Sequence, residues 1–375
     1  MKNDEVFLSR TFDLARRGRF NTAPNPNVGC VIVLDGRIVG EGYHQRAGEA
    51  HAEVYALHMA GETARGATVY VSLEPCSHHG RTRPCVDALI DAGVVRVVAA
   101  MLDPNPKVAG RGFCRLKNAG IEVRHSLMLS EAEAVNPGFL KRMRTGLPWI
   151  RLKLAASLDG RTAMASGESK WITSPEARQD VQRWRAESDA ILSTAATVIA
   201  DDPALTVRWQ SLPKTVQDLC PKTQLHQPVR VIIDSANRIT PSHRIAQEQG
   251  RTWLARLSPD DRLWPASVEQ LQLQSCKKTG RSRLDLLSLM MQLGRRQINN
   301  AWVEAGADLS GALLSAGLVD ELILYQSPQL LGSDARPLFL LPGMKKLFET
   351  PRFTLLDVRR IGPDIRMRLK PLKRS

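Results

Sequence analysis

The sequence predicts an α/β protein in two parts: a three-layer α/β/α sandwich, then a second α/β domain with a mostly parallel sheet. Short β-branched runs alternate with helix-patterned runs along most of the chain. Asp35-Gly36 sits between two strand-like runs, and both positions tolerate the positive φ of a tight hairpin, so the first sheet has an antiparallel edge. The stretch NPGFLKRMRTGLP at 136–148 combines Pro, Gly and basic residues with little periodicity and reads as the domain boundary. The domains are therefore expected at 1–145 and 146–375.

The first part reads in order as follows. Phe7 to Arg17 carries apolar residues at helical spacing, and Asn21 to Asn27 is a Pro- and Asn-rich loop. Val28 to Leu34 and Arg37 to Tyr43 form the hairpin. His51 opens a helix-patterned run that Gly61 ends; Thr68 to Leu73 is a buried strand stopped by Glu74-Pro75. Pro84-Cys85 opens a second helix through to Gly93. A strand at Val94 to Met101, the loop DPNPKVAGRG, a helix near Phe113 to Asn118 and a strand at Ile121 to His125 complete it.

This segment contains the clearest chemistry. His51, Cys76 and Cys85 are three side chains that bind zinc, each at or near a helix start, where exposed N–H groups favour thiolate over thiol. Three protein ligands leave one corner of a tetrahedron for water, which marks a catalytic rather than a structural site. One Zn2+ per chain is expected. Zinc lowers the pKa of bound water from about 15.7 to about 7. Glu53, two residues beyond the first ligand, is the candidate proton shuttle between that water and a leaving amine. A zinc-free or purely structural cluster is the plain alternative, and the carboxylate in register argues against it. The loop Ser77 to Arg83 concentrates donors and cations; His78 and Arg81 either brace the zinc ligands or hold a substrate phosphate. His44, at the end of the hairpin, is either a substrate contact or a solvated strand end.

Bulk properties narrow the partners. Hydrophobic residues at 43% and charged residues at 24% exclude a disordered chain or a fibre. No run is long and apolar enough to span a bilayer, and MKNDEVFLSR lacks the apolar core of a secretion signal, so a cytoplasmic protein is expected. Cys30, Cys114, Cys220 and Cys276 show no pairing pattern and read as reduced thiols. The net charge is +14, yet residues 1–146 hold 19 Lys/Arg against 15 Asp/Glu, so the metal-binding part is only mildly basic. Aromatics are 5%, few for stacking on a nucleic-acid strand. The excess suits phosphorylated small molecules, and the tail RMRLKPLKRS reads as solvated surface.

In the second part, Trp149 to Ala156 alternates as a strand, and further strands are expected at Asp189 to Ser193, Val229 to Asp234, Thr252 to Arg256, Ala301 to Glu304 and Glu321 to Gln326. Leu284 to Leu293 is a helix. Phe353 to Arg360 and Ile365 to Leu369 form a closing antiparallel hairpin around Gly362-Pro363-Asp364. WVEAGADLSGALLSAG at 302–317 delivers Glu304 on a strand, turns at Gly306 and begins a helix, a layout that lets backbone N–H groups approach a phosphate. No G-x-G-x-x-G is present, so a Rossmann dinucleotide site is not expected. The segments 209–227 and 259–283 carry no recognisable motif and read as variable loop.

PNPNVG at 24–29, HAE at 51–53 and EPCSHHGRTRPC at 74–85 resemble the deaminase half of the bifunctional riboflavin-biosynthesis pyrimidine deaminase/reductase. KLAASLDGRTA, SGESKWITS, TVIADDPALTVR and VEAGADLSGALL are similar to its reductase half, in the right order and over nearly the whole chain. The resemblance implies a cytidine-deaminase-like sandwich followed by a domain similar to dihydrofolate reductase, with zinc and NADPH as cofactors. It implies hydrolytic deamination of a diaminopyrimidinone ribosyl phosphate, then reduction of the ribosyl group to ribityl. By motif position, Asn25 contacts the pyrimidine, a turn residue being the alternative. Ala155, Trp171, Thr197, Asp201, Ser235, Gly306, Ala307, Asp308 and Leu309 line the NADP site. Ser169, Arg185, Leu205, Arg208 and Glu304 face the substrate, with Arg185 and Arg208 as phosphate clamps. Asp201 and Glu304 both stand as candidates to protonate the opened ribose. The resemblance also suggests a homo-oligomer, as a dimer. Two other readings are a tRNA or nucleoside deaminase fused to an unrelated reductase, and a zinc-stabilised binding module without catalysis. The eight-residue spacing between Cys76 and Cys85 opposes the first, and Glu53 with the missing fourth ligand opposes the second.

Overall fold

The computed structural model describes residues 2–78, 83–278 and 281–372. The chain divides into two compact units, 1–146 with 219–224, and 147–218 with 225–375.

The first unit is built on a five-stranded sheet in the order 37–43, 29–34, 68–71, 96–99, 122–125. Its first two strands form the expected hairpin, and Asp35 and Gly36 both take positive φ, at 48° and 76°. The last three strands run parallel to one another. Helices cover both faces. Ala52–Ala60, Cys85–Asp91 and Arg111–Asn118 bury Ala56, Leu89, Phe113 and Leu116 on one side. Lys2–Ala15, Leu129–Val135 and Pro137–Thr145 bury Leu8, Phe12, Val135 and Phe139 on the other. The close approach of the helix Ala52–Ala60 to the hairpin depends on glycine, because a Cβ at Gly40 or Gly42 would stand 2.3 Å from a helix carbonyl.

The second unit holds a nine-stranded sheet in the order 268–272, 252–256, 229–233, 190–194, 300–304, 149–156, 321–326, 364–371, 353–361. The first seven strands are parallel, and the last two add the closing antiparallel hairpin. Its two faces carry separate cores, one around Leu152, Val231 and Val303, the other around Trp184, Ile323 and Tyr325.

The stretch that reads as the domain boundary contains the helix Pro137–Thr145, in which Pro137 occupies the first turn, where a missing N–H costs nothing, and Phe139 and Leu140 are buried; the compact units divide just past it, between 146 and 147. Two expectations need correction. The segment expected as loop at 259–283 contributes the edge strand Val268–Gln272, whose side chains lie mostly at the surface and so lack an apolar run. In the tail, Arg366 is buried between Asp180 and Asp357, and Arg368 pairs with Glu321, so these two are structural rather than solvated.

Candidate active sites

Two of the metal-binding side chains are delivered by helix starts and the third by the loop after a strand. His51 is the N-cap residue of Ala52–Ala60, and Cys85 is the first residue of Cys85–Asp91. Cys76 follows the strand Thr68–Val71, and its sulfur accepts the Cys85 backbone N–H at 3.3 Å. The His51 Nδ1 lies 3.2 Å from Cys85 Sγ and 3.4 Å from Cys76 Sγ, and the three ligand atoms fall within 4.8 Å of one another. A tetrahedral zinc with bonds of about 2.0–2.3 Å holds its ligand atoms roughly 3.5 Å apart, so the donor set fits the ion in chemistry and in spacing. Hydrogen bonding from the Cys85 thiol holds Cys76 down to about 4, and the same contact together with burial pushes Cys85 up.

Glu53 lies in the first turn of the same helix and is 3% exposed. Burial, and after it the neighbouring Cys76 sulfur, raises its carboxyl above the usual range, and it also hydrogen-bonds Cys85. A buried carboxyl against the ligand cluster is placed to pass a proton between a bound water and a leaving group.

His44 corrects the solvated reading of that residue. It is 2% exposed, its Nδ1 meets the Ala50 carbonyl at 3.0 Å, and its Nε2 lies 3.1 Å from Asn25 Nδ2. The ring packs edge-on to His51 with centroids 5.2 Å apart. His44 thus sets the orientation of Asn25 beside the metal ligands. His78 is exposed, while Arg81 lies outside the described residues. Arg83 pairs with Asp91 at the surface.

Sequence reasoning passed over Glu74 and Asp103. The Glu74 carboxylate is buried and accepts backbone N–H groups from Asp103 (3.2 Å), Gly110 (2.9 Å), Gly112 (2.9 Å) and Phe113 (3.4 Å). One side chain thereby ties the Cys76 loop to the loop 103–110 and to the start of a helix. Burial, with smaller contributions from Glu74 and Cys76, pushes Asp103 up to about 7. The prolines and Asn105 around Asp103 were the available signal.

In the second unit the expected residues gather at the carboxyl ends of parallel strands, where ligands of open α/β sheets bind. The strands 190–194 and 300–304 are neighbours, and each passes into a helix, Ala195–Asp201 and Ala307–Ser315. Thr194 caps the first by accepting the Thr197 N–H at 3.2 Å. Gly306 caps the second, is exposed, and has open space where a Cβ would stand. Helix starts side by side with an open approach suit a polyphosphate, so Thr197 and Gly306 to Leu309 fit NADP. Ser235 is exposed just past the strand 229–233, Ala155 is near the end of the strand 149–156, and Asp201 is exposed at the end of its helix. Trp171 lies under the Arg178 guanidinium (4.2 Å to the ring centroid), in a cleft of about 490 Å3 lined also by Ser174, Asp364 and by Ser327 and Gln329 just past the strand 321–326. Of the residues expected to bind cofactor or substrate, this cleft takes in Trp171 alone. Ser169, two residues earlier in the chain, is half-buried.

Arg185 is not a free phosphate clamp. Its Nε and Nη2 take the two Glu304 oxygens at 2.6 and 2.8 Å, and Nη1 donates to the Thr206 carbonyl. Burial would raise Glu304, but Arg185, Lys153 and the Trp302 N–H outweigh it and hold the carboxyl at about 2. Arg208 makes no ion pair among the described residues, and burial and the neighbouring Arg185 lower its proton affinity. An unpaired guanidinium beside another cation is the better anion site. Leu205 adopts a left-handed φ of 47° with its side chain in the core, so the chain bends there toward Arg208. Lys153, which sequence reasoning also missed, stands opposite Glu304 across adjacent parallel strands; burial lowers its pKa.

Residues 1–101 match the model of the cytidine and deoxycytidylate deaminase zinc-binding region, and 148–367 match the RibD C-terminal domain. The riboflavin biosynthesis protein RibD of Escherichia coli (strain K12) is 65% identical over 366 residues, covering 98% of this chain and 99% of that protein. This chain belongs to the RibD family. The RibD of Bacillus amyloliquefaciens is 40% identical, covering 98% of this chain and 96% of its own. Among solved structures, Acinetobacter baumannii RibD superposes with a TM-score of 0.90 at 46% identity, covering 99% of each chain. A diaminohydroxyphosphoribosylaminopyrimidine deaminase/5-amino-6-(5-phosphoribosylamino)uracil reductase from Thermotoga maritima gives 0.85 at 31% identity, again over 99% of each. Like its RibD relatives, the chain is a bifunctional riboflavin-biosynthesis enzyme with a zinc-binding deaminase domain and an NADPH-dependent reductase domain. No helix among the described residues is long and apolar enough to cross a membrane.

Proposed function

We propose that the first unit deaminates 2,5-diamino-6-ribosylamino-4(3H)-pyrimidinone 5′-phosphate and the second reduces the ribosyl group of the resulting 5-amino-6-(5-phosphoribosylamino)uracil. The observation that carries the first step is the convergence of His51, Cys76 and Cys85 beside the buried Glu53. Zinc, held by these three, supplies a water that ionises near neutral pH. Glu53 takes up the proton released by that water and delivers it to the departing ring amine, which leaves as ammonia. Asn25, held by His44, contacts the pyrimidine edge, and His78 with Arg81 receives the phosphate.

For the second step Thr197 and residues 306–309 would hold NADPH, which would supply a hydride for the ribosyl C1′ carbon. Lys153 gives a proton to the ribose ring oxygen as the C1′–O bond opens, and Glu304 keeps that ammonium charged. Arg208 takes the substrate phosphate, with Ser169 and Leu205 beside it. The full chain, given the phosphorylated diaminopyrimidine and deuterated NADPH, is expected to release one ammonia and carry one deuterium into the ribityl chain; product without deuterium in the sugar removes the second assignment.

Self-association as a dimer is supported by the edge strand Phe353–Ile361, whose Leu355, Leu356 and Val358 are exposed together with Ile365. A cytoplasmic location is supported by Cys30, Cys114 and Cys276, which stand as free thiols.

A further inference from the structure

We infer that Trp302 is a positioning residue of the reductase centre, fixing Glu304 through its indole N–H; this rests on the reading of Glu304 and Lys153 given above. Trp302 precedes Glu304 by two in the strand Asn300–Glu304, so both side chains leave the same face of the sheet. It is wholly buried, in a position where an aliphatic side chain would serve for packing alone. A buried indole must find an acceptor for its N–H. Here Nε1 donates to Glu304 Oε1 at 2.7 Å, the oxygen that also receives Arg185 Nε at 2.6 Å. Arg185 Nη2 takes the other oxygen at 2.8 Å. Donors from two elements therefore hold the carboxylate, the indole adding a third hydrogen bond to the bidentate Arg185 pair.

The indole is itself held in place. Its ring stacks on Trp184 with centroids 5.9 Å apart and planes 4° from parallel. Arg151 and Arg368 in turn face the Trp184 ring at 5.4 and 5.6 Å. The charged groups facing Glu304 are Arg185 from the helix Pro175–Ala186, Lys153 from the neighbouring strand, and Arg208 from the loop after Leu205. A carboxylate fixed toward Lys153 sustains its ammonium form; one that swings away leaves it easier to deprotonate.

The test is Trp302→Phe in the full chain, which keeps an aromatic ring in the stack and removes the donor. The reductase kcat is expected to fall roughly tenfold to a hundredfold, the effect of one hydrogen bond to a charged group. KM for NADPH stays unchanged, and the basic limb of the pH–rate profile moves to lower pH. Trp302→His retains a ring N–H and recovers part of kcat. Trp184→Phe loses an N–H directed at Asp180 (3.3 Å) and leaves both kcat and the limb where they were. Superposable profiles for Trp302→Phe and the parent overturn the inference, as does an equal loss in Trp302→Phe and Trp184→Phe, which would mean that the stack only fills space. Glu304→Gln is run alongside: if it reduces substrate normally, the reading of the centre falls, whereas a dead Glu304→Gln beside an unaltered Trp302→Phe removes the role of Trp302 alone.

Discussion

Lys153 and Glu304 are partners across adjacent parallel strands at the carboxyl edge of the second sheet, and Arg185 grips the far side of the Glu304 carboxylate. In the proposed reduction this arrangement favours Lys153 over the acids that the sequence left open, because a carboxyl held at about 2 has no proton to give near neutral pH. Asp201 is exposed at the end of its helix. Lys153 is the cation next to the reacting edge, with burial lowering its pKa and Glu304 offsetting part of that.

Lys153→Met is therefore expected to lower the reductase rate by about 10²–10⁴, the range for loss of a general acid, with ammonia release intact. Coupled assays on the two substrates measure both. A normal NADPH oxidation rate would assign the proton elsewhere.

Glu53→Gln retains the shape of the side chain and all three metal ligands. Zinc content should stay at one per chain while deamination falls by about 10²–10⁴. Metal analysis and ammonia release on the same sample separate a lost proton shuttle from a lost ion.

Stripping zinc with a chelator should abolish ammonia release and spare reduction of the already deaminated pyrimidine, because the metal-binding residues all belong to the first unit. Cys76→Ser should reproduce this selectivity.

Glu74→Gln halves the acceptor capacity of a group that takes backbone N–H bonds from Asp103, Gly110, Gly112 and Phe113. Leaving buried donors unpaired costs about 1–3 kcal/mol each. A loss of roughly 2–4 kcal/mol from the first unit is expected on that basis, seen as an earlier thermal transition together with weakened deamination. A melting curve that superposes on the parent would show that the loop does not depend on this carboxylate.

Asp4 provides an acid-dependent contribution to the first unit. The Arg96 guanidinium, aided by Tyr70 and Arg124, outweighs burial and holds the Asp4 carboxyl at about 2, below 3.8. Its folded pKa is depressed, so the stabilisation is complete above about pH 4 and drains away as pH falls toward 2, amounting to about 1–2 kcal/mol after allowance for the partly exposed Arg124. Asp4→Asn should be less stable at pH 7 and should show a flatter stability profile between pH 4 and pH 2 in denaturant titrations.

The sequence by itself determined most of the secondary structure and singled out His51, Cys76 and Cys85, which the fold brings together beside Glu53. Hydrophobic period, β-branched runs and turn chemistry are local, so strands such as Trp149–Ala156, Thr252–Arg256 and Glu321–Gln326 were legible to the residue. Where local signals are weak, packing decides: Pro137 and Gly138 give no helical period, yet Phe139 and Leu140 find a core that only the fold provides. The segment 219–224 joins the first unit although the residues around it in the chain belong to the second, and nothing in its composition announces that.

Tertiary structure alone decided which polar groups face each other. Arg185 looked like a phosphate ligand because its type suits phosphate, but it is committed to Glu304 over a separation of 119 residues. Glu74, Asp103, Lys153 and Trp302 carry no motif that spells out a partner. What each does depends on burial and on a neighbour brought close by strand order. Electrostatic and hydrogen-bond energies depend on distance in space, which sequence order does not encode.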